Sequence, residues 1–286
     1  MTTGFAVAAA LASACCFAAA AVMQQAAAAS EPESDSLRPR LILDLLRRPL
    51  WLAGIGMSFF SYVIQGVALA FGPLVLVLVL PLAALDLVFA LPMVALRRRR
   101  RLTAAEVTGA ACTSGGVAAF LAVLPPPAGI VAPSVGDWLP LLAVAAGCVC
   151  VLVPVGRRRP GRSRTALYAA AAGVMFALLD SLTKSTAGLL RENGVGTLAH
   201  WEPYALLLVG GTGMLLAQSS FQAGSLTVSL PIIDTLEPIG GVLMGAVVFQ
   251  ERLATSWALA VQGLGALAAV AGIVILGRSP WVYGRM

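Results

Sequence analysis

Apolar residues in this chain come in long unbroken runs, not in alternation and not in one-sided helical stripes. Nine runs stand out, over residues 4–28, 50–72, 73–97, 103–125, 137–155, 165–190, 202–222, 224–250 and 255–277. A helix needs about 20 mostly apolar residues to cross the hydrocarbon of a bilayer. In lipid every backbone polar group must be satisfied inside the segment, so these runs predict helices. A barrel would require short alternating strands, and the chain has none of that pattern. The expectation is an all-α integral membrane protein of about nine transmembrane helices.

The breakers fall between the runs. Gly72-Pro73 separates the second from the third, Pro125-Pro126-Pro127 ends the fourth, and Gly224-Ser225 precedes the eighth. The polar stretch from Ser30 to Arg40 reads as a mobile loop. It leads into LILDLLRRPLW, which reads as a short amphipathic helix on the membrane surface. Residues 1–28 resemble a leader peptide in their alanine content. The missing basic start and the length of the run favour a first span instead.

Composition agrees. The 286 residues are 59% hydrophobic and 11% charged, against about 25% charged in a typical soluble domain. The five cysteines, Cys15, Cys16, Cys112, Cys148 and Cys150, lie inside apolar runs and are odd in number, which predicts neither a disulfide framework nor a metal site. No cofactor is expected.

The net charge of +6 is distributed as a topology signal. Arg38, Arg40, Arg47 and Arg48 follow the first run, Arg97 through Arg101 the third, and Arg157, Arg158, Arg159, Arg162 and Arg164 the fifth; Arg278 and Arg285 lie in the tail. With nine spans all sixteen fall on one side, which the positive-inside rule makes cytoplasmic. The N-terminus is then outside and the C-terminus inside, in a bacterial-type cytoplasmic membrane. Basic clusters split among short loops do not form the contiguous face that nucleic acid requires.

The two halves share an order: a lone span, two spans in close succession, then a closing span. Gln65, Ala68, Leu69 and Pro81 match Gln222, Ser225, Leu226 and Pro238 at one offset. Phe17 and Gln25 match Phe176 and Lys184 at a similar one. The first and sixth spans cross in opposite directions, so the pattern is an inverted repeat, as in many secondary transporters. The expected division is a first repeat over 1–125, a connector helix and basic loop over 126–163, a second repeat over 164–278 and a tail over 279–286.

The segment QAGSLTVSLPIIDTLEPIGGVLMGAVVFQERL resembles the drug/metabolite transporter superfamily, in its EamA-like branch. In that branch a span carries a mid-helix proline and small residues and ends in an acidic-basic pair, here Glu251-Arg252. The closing span with Gly263, Gly265 and Gly272 is similar too. The resemblance implies an inverted-repeat transporter. The chain departs from the usual five-plus-five spans, and its nine-span layout is closer to the NIPA-type magnesium transporters.

Charged groups inside the hydrocarbon cost on the order of 2.5 kcal/mol or more each and are default functional candidates. Asp180 and Lys184, spaced i, i+4, can pair on one helix face. Such a pair either merely lets the helix insert or opens to engage substrate. Asp234 and Glu237, spaced i, i+3, place two like charges together, which suits a proton relay or a hard divalent cation. Pro231 and Pro238 bracket them and free backbone carbonyls, as Pro81 does in the matching span. Asp86 is the partner candidate. Gln25, Gln65 and Gln222 add polar groups that either join helices or bind solute. Gln218, Ser219, Ser220 and Gln222 form a polar stripe that reads as a gate. Trp51, Trp138, Trp201 and Trp257 read as interfacial anchors, and His200 as an interfacial residue. Gly241-x3-Gly245 permits close helix contact, within the chain or in a homodimer.

The leading expectation is a secondary transporter of a small polar metabolite or xenobiotic, coupled to protons through the buried acids. A divalent cation transporter, magnesium first, is the runner-up, and a non-transporting membrane subunit is the third reading. An enzyme is not expected, because no loop carries a nucleophile-base arrangement, a nucleotide loop or a His/Asp cluster.

Overall fold

The computed structural model of the chain describes residues 2–70, 82, 84–124, 133–251 and 257–278. Ten α-helices occur among them. They are α1 (Thr2–Ala28), α2 (Pro39–Leu45), α3 (Pro49–Ala70), α4 (Asp86–Arg97), α5 (Ala104–Ala122), α6 (Val135–Arg158), α7 (Arg162–Asn193), α8 (Glu202–Ala223), α9 (Leu226–Val248) and α10 (Trp257–Gly277). Six of these, α1 and α6 to α10, are long and apolar enough to cross a membrane, and the apolar stretch Pro49–Gln65 of α3 is shorter. Pro81, Arg252 and the triple proline at 125–127 lie outside the described residues.

Local chemistry sets the helix ends. Thr103 Oγ1 accepts the Glu106 amide while the Glu106 carboxylate accepts the Thr103 amide, a capping box that starts α5. Ser225 Oγ accepts the Thr227 amide and starts α9. At the far end of α9, Gln250 takes a positive φ of 53° and the Glu251 amide turns back to the Gly245 carbonyl.

The packing order is regular. Helix α1 packs on α3 and α4, and α4 on α5; α7 packs on α8 and α9, and α9 on α10. Helices α5 and α10 also pack extensively on one another. Their contact is made by glycine. A Cβ on Gly116 would lie 2.4 Å from the Gly265 carbonyl oxygen, and one on Gly272 would lie 2.6 Å from that of Gly109. As the chain number rises on one helix it falls on the other, so the two run antiparallel.

The interior is not that of a soluble protein. Small and polar side chains fill it, among them Ala10, Ala14, Ala18, Ser13, Gln24 and Gln218, while Leu207 and Leu208 on α8 are 71% and 72% exposed. Apolar residues outside and small residues at helix contacts are what a bilayer permits.

Four expectations need correction. The stretch from Ser30 to Arg40 is tied down: Glu31 binds Arg48 at 2.6 Å, Gln222 donates to the Glu31 and Pro32 carbonyls, and Ser219 Oγ accepts the Leu37 amide. The polar stripe on α8 is therefore a clamp holding that segment, not a gate. Trp51 and Trp138 are buried instead of interfacial. Trp51 donates to Gln218 Oε1, and Trp138 packs edge-on against Trp201 and Phe249. Among the described residues Gly241-x3-Gly245 makes no close helix contact: a Cβ on Gly241 would meet nothing within 4 Å, and one on Gly245 would meet the Glu251 carboxylate. The close approach falls instead at Gly240, against Ala177 of α7, and at Gly173, against Leu236.

Candidate functional site

A cavity of about 1000 Å³ lies among the helices. On α9 its wall runs from Leu230 to Ala246, about 24 Å at 1.5 Å per residue. Asp86 from the start of α4, Asp180 from α7 and Asp234 and Glu237 from α9 all line it, as does Glu251 just beyond α9. Five acids from three helical neighbourhoods thus face one space.

These carboxyls lie within electrostatic reach of one another. Asp234 interacts with Asp86 and Glu237, and Glu237 with Asp180 and Asp86. Asp86 Oδ1 accepts the adjacent Leu87 amide at 2.7 Å. Asp234 Oδ2 is buried without a hydrogen-bond partner among the described residues. Pro238 also lines the cavity and brings no N–H to the carbonyl of Asp234 one turn earlier. Pro231 is buried in the same helix but outside the wall.

Lys184 is not where within-helix spacing puts it. Its ammonium pairs with Glu251, 67 residues away, and sits 4.2 Å over the Phe249 ring. Among the described residues no cation pairs with Asp86, Asp180, Asp234 or Glu237. The cavity has no Lys or Arg in its described lining.

Of the amides, Gln65 reaches the cavity. Gln25 donates to the Gly224 carbonyl at 3.1 Å and Gln222 to the Pro32 carbonyl at 2.6 Å; both join elements and neither lines the cavity. Sequence reasoning missed Gln262 on α10, which lines the cavity, is 4% exposed and leaves Nε2 without a partner among the described residues. Its signal was available: it is the one amide in an otherwise apolar run. Phe17, Phe59, Tyr62, Phe176 and Phe221 complete the polarisable part of the wall, with Phe17 and Tyr62 edge to face at 4.8 Å.

The described histidines, cysteines and acids form no group of three close enough to hold a metal ion. What the arrangement offers is a large, aromatic, uniformly acidic chamber inside a helical bundle.

No family model and no solved structure matches the chain. The sequence is similar to an uncharacterized protein of Corynebacterium glutamicum, 29% identical over 250 residues that cover 87% of this chain and 86% of the relative. The match covers most of both chains.

Proposed function

We propose that the chain is a secondary transporter of a small polar metabolite or xenobiotic across the cytoplasmic membrane, of the drug/metabolite transporter type and coupled to protons through its cavity acids. The observation that carries this reading is the convergence of Asp86, Asp180, Asp234 and Glu237 on one cavity inside a lipid-facing bundle. Intramembrane acids on a cavity are typical of proton relays and substrate pathways.

The packing supports an inverted repeat of two four-span halves joined by α6. The α1–α3, α1–α4 and α4–α5 contacts have counterparts in α7–α8, α7–α9 and α9–α10. The closing helices α5 and α10 run antiparallel, as opposed repeats require. Phe17 and Phe176, matched by the offset in the sequence, both line the cavity. In this reading the chain has nine spans, with the N-terminus outside and every arginine cluster inside.

Divalent cation transport is the second reading, favoured by four carboxyls around one space and ranked lower because no three of them gather as a metal cluster. Uptake into proteoliposomes under imposed pH and magnesium gradients separates the two. Flux that follows the pH gradient and disappears in Asp234→Asn and Glu237→Gln is expected. Magnesium flux without pH dependence supports the second reading, and no flux over a broad solute screen refutes both in favour of a non-transporting subunit.

A further inference from the structure

We infer that the cavity is a binding site for an organic cation: an amine or quaternary ammonium with an aromatic or apolar body and a hydrogen-bond acceptor at its far end. The inference rests on the transporter reading and names its substrate class.

Charge sets the sign. The described wall carries five acids and no base. Lys184, four residues after Asp180, is paired instead with Glu251 at the end of α9. Neutralising Glu251 in this way leaves Asp86, Asp180, Asp234 and Glu237 facing the cavity with no cationic partner among the described residues. An anion entering this space would find no complementary charge in the described lining, whereas a cation would find carboxyls that can ionise to pair with it in a medium of low dielectric.

Size and surface decide between a metal ion and an organic cation. About 1000 Å³ is the upper end of the range for pockets that enclose drug-sized ligands, and a bare ion would leave it nearly empty. Five aromatic residues share the wall with the acids, and ring faces attract ammonium groups that have shed water. Magnesium wants rigid oxygen ligands in octahedral array, which the described residues do not gather.

Gln262 points to the ligand independently of the acids. A buried amide N–H without a partner costs about 1–3 kcal/mol, and Gln262, a 4%-exposed residue of the cavity wall, leaves Nε2 without one among the described residues. An oxygen acceptor on the ligand would satisfy it. Asp234 Oδ2, equally buried and unpartnered, is the matching acceptor for an ammonium or for the field of a quaternary nitrogen.

The test is equilibrium dialysis of the purified full-length protein in neutral detergent against three probes of one shape. (3-Hydroxyphenyl)trimethylammonium carries both groups, 3-tert-butylphenol replaces the cationic nitrogen by carbon, and phenyltrimethylammonium lacks the hydroxyl. The hydroxylated cation should bind on the order of ten-fold or more tighter than its neutral isostere. It should also bind several-fold tighter than phenyltrimethylammonium, and that second margin should vanish in Gln262→Leu. Asp234→Asn and Glu237→Gln, checked for monodispersity, should erase the preference for cation over isostere; the isostere comparison on the unaltered protein stands if they do not fold. Equal binding of cation and isostere overturns the inference, as does magnesium binding with no organic cation bound. A Gln262→Leu variant that keeps the hydroxyl margin overturns the acceptor end. Cation binding without flux in proteoliposomes refutes the transporter reading and leaves the site standing. Proton-driven flux of a neutral or anionic solute without cation binding does the reverse.

Discussion

Substituting Gly116 by alanine isolates what holds the two closing helices together. A Cβ there would lie 2.4 Å from the Gly265 carbonyl oxygen and 2.6 Å from the Ala269 amide nitrogen. Both are backbone atoms of α10 and cannot rotate away. Carbon-oxygen contacts across helices settle at about 3.3–3.6 Å, so α5 and α10 must separate by about 1 Å. In lipid no hydrophobic force restores the contact, because the helices are held by close packing alone. The cost expected for such overpacking is about 1–3 kcal/mol. Gly115, one residue away, would place its Cβ in open space, and alanine there should stabilise by up to about 1 kcal/mol through helix propensity. Gly265→Ala repeats the clash from the other side, with its Cβ 2.6 Å from the Gly116 carbonyl oxygen. Once the first substitution has opened the gap the second costs little, so the double variant should fall well short of the sum. The assay is the fraction of monodisperse protein remaining after heating in mild detergent, read by size exclusion. Equal midpoints for Gly115→Ala and Gly116→Ala, or full additivity of Gly116→Ala and Gly265→Ala, would refute the reasoning.

Three further predictions concern polar contacts between side chains. Arg100 and Glu106 form a two-toothed pair at 2.6 and 2.7 Å with side chains 8% and 0% exposed; Glu106→Ala takes the carboxylate from a buried guanidinium and unmakes the capping box, and should cost about 3–5 kcal/mol in reversible unfolding by SDS titration. Gln218 accepts from Trp51 Nε1 at 3.1 Å and donates to Gln24 Oε1 at 2.8 Å; Gln218→Leu leaves both without that partner and should cost about 1–3 kcal/mol, with little further loss on adding Trp51→Phe if the indole bond is what is missing. The Lys184–Glu251 pair has side chains 41% and 24% exposed. Solvent screening therefore limits it to about 1 kcal/mol or less, and the exchange of Lys184→Glu with Glu251→Lys should restore most of what either change alone loses in thermal midpoint. Failure of the exchange would show that the Phe249 contact, which only a cation at 184 can make, outweighs the ion pair.

Which segments are helices was readable because it depends on composition alone. An apolar run longer than a bilayer is thick has one way to satisfy its backbone, whatever surrounds it. Asp86, Asp180, Asp234 and Glu237 were readable on the same terms, since an acid in such a run is costly wherever its side chain points. Direction was harder. Gln25, Gln65 and Gln222 are alike as sequence, yet only Gln65 reaches the cavity while the other two tie α1 to the start of α9 and α8 to the loop at 31–32. Small side-chain amides give no sign of which neighbour they will find, because that depends on helix rotation set by distant contacts. The same holds for Gln262: its place in an apolar run marks it, but its direction is settled only when α10 is placed beside α5 and α9.

Lys184 shows how register overrules local spacing. The i, i+4 geometry with Asp180 is available on any straight helix and is worth only about 0.2–0.5 kcal/mol, so it cannot hold the ammonium against a better partner. The partner is supplied by the way α7 and α9 lie together. Gly173 meets Leu236 and Ala177 meets Gly240, and the constant difference means that the two helices run parallel in one register. In that register Lys184 is level with Val247, at the last turn of α9. The chain then reverses through the positive φ of Gln250, and the Glu251 amide returns to the Gly245 carbonyl. Glycine at 245 leaves room for the Glu251 carboxylate, which would meet a Cβ there at 2.3 Å. Three glycines and one left-handed residue therefore deliver Glu251 to Lys184 and release Asp180 to the cavity. The acidity of that chamber is a consequence of helix register. Enlarging Gly245 should displace the Glu251 carboxylate, return part of the Lys184 charge to Asp180 and weaken cation binding in the dialysis assay, with Asp86, Asp180, Asp234 and Glu237 all left unaltered.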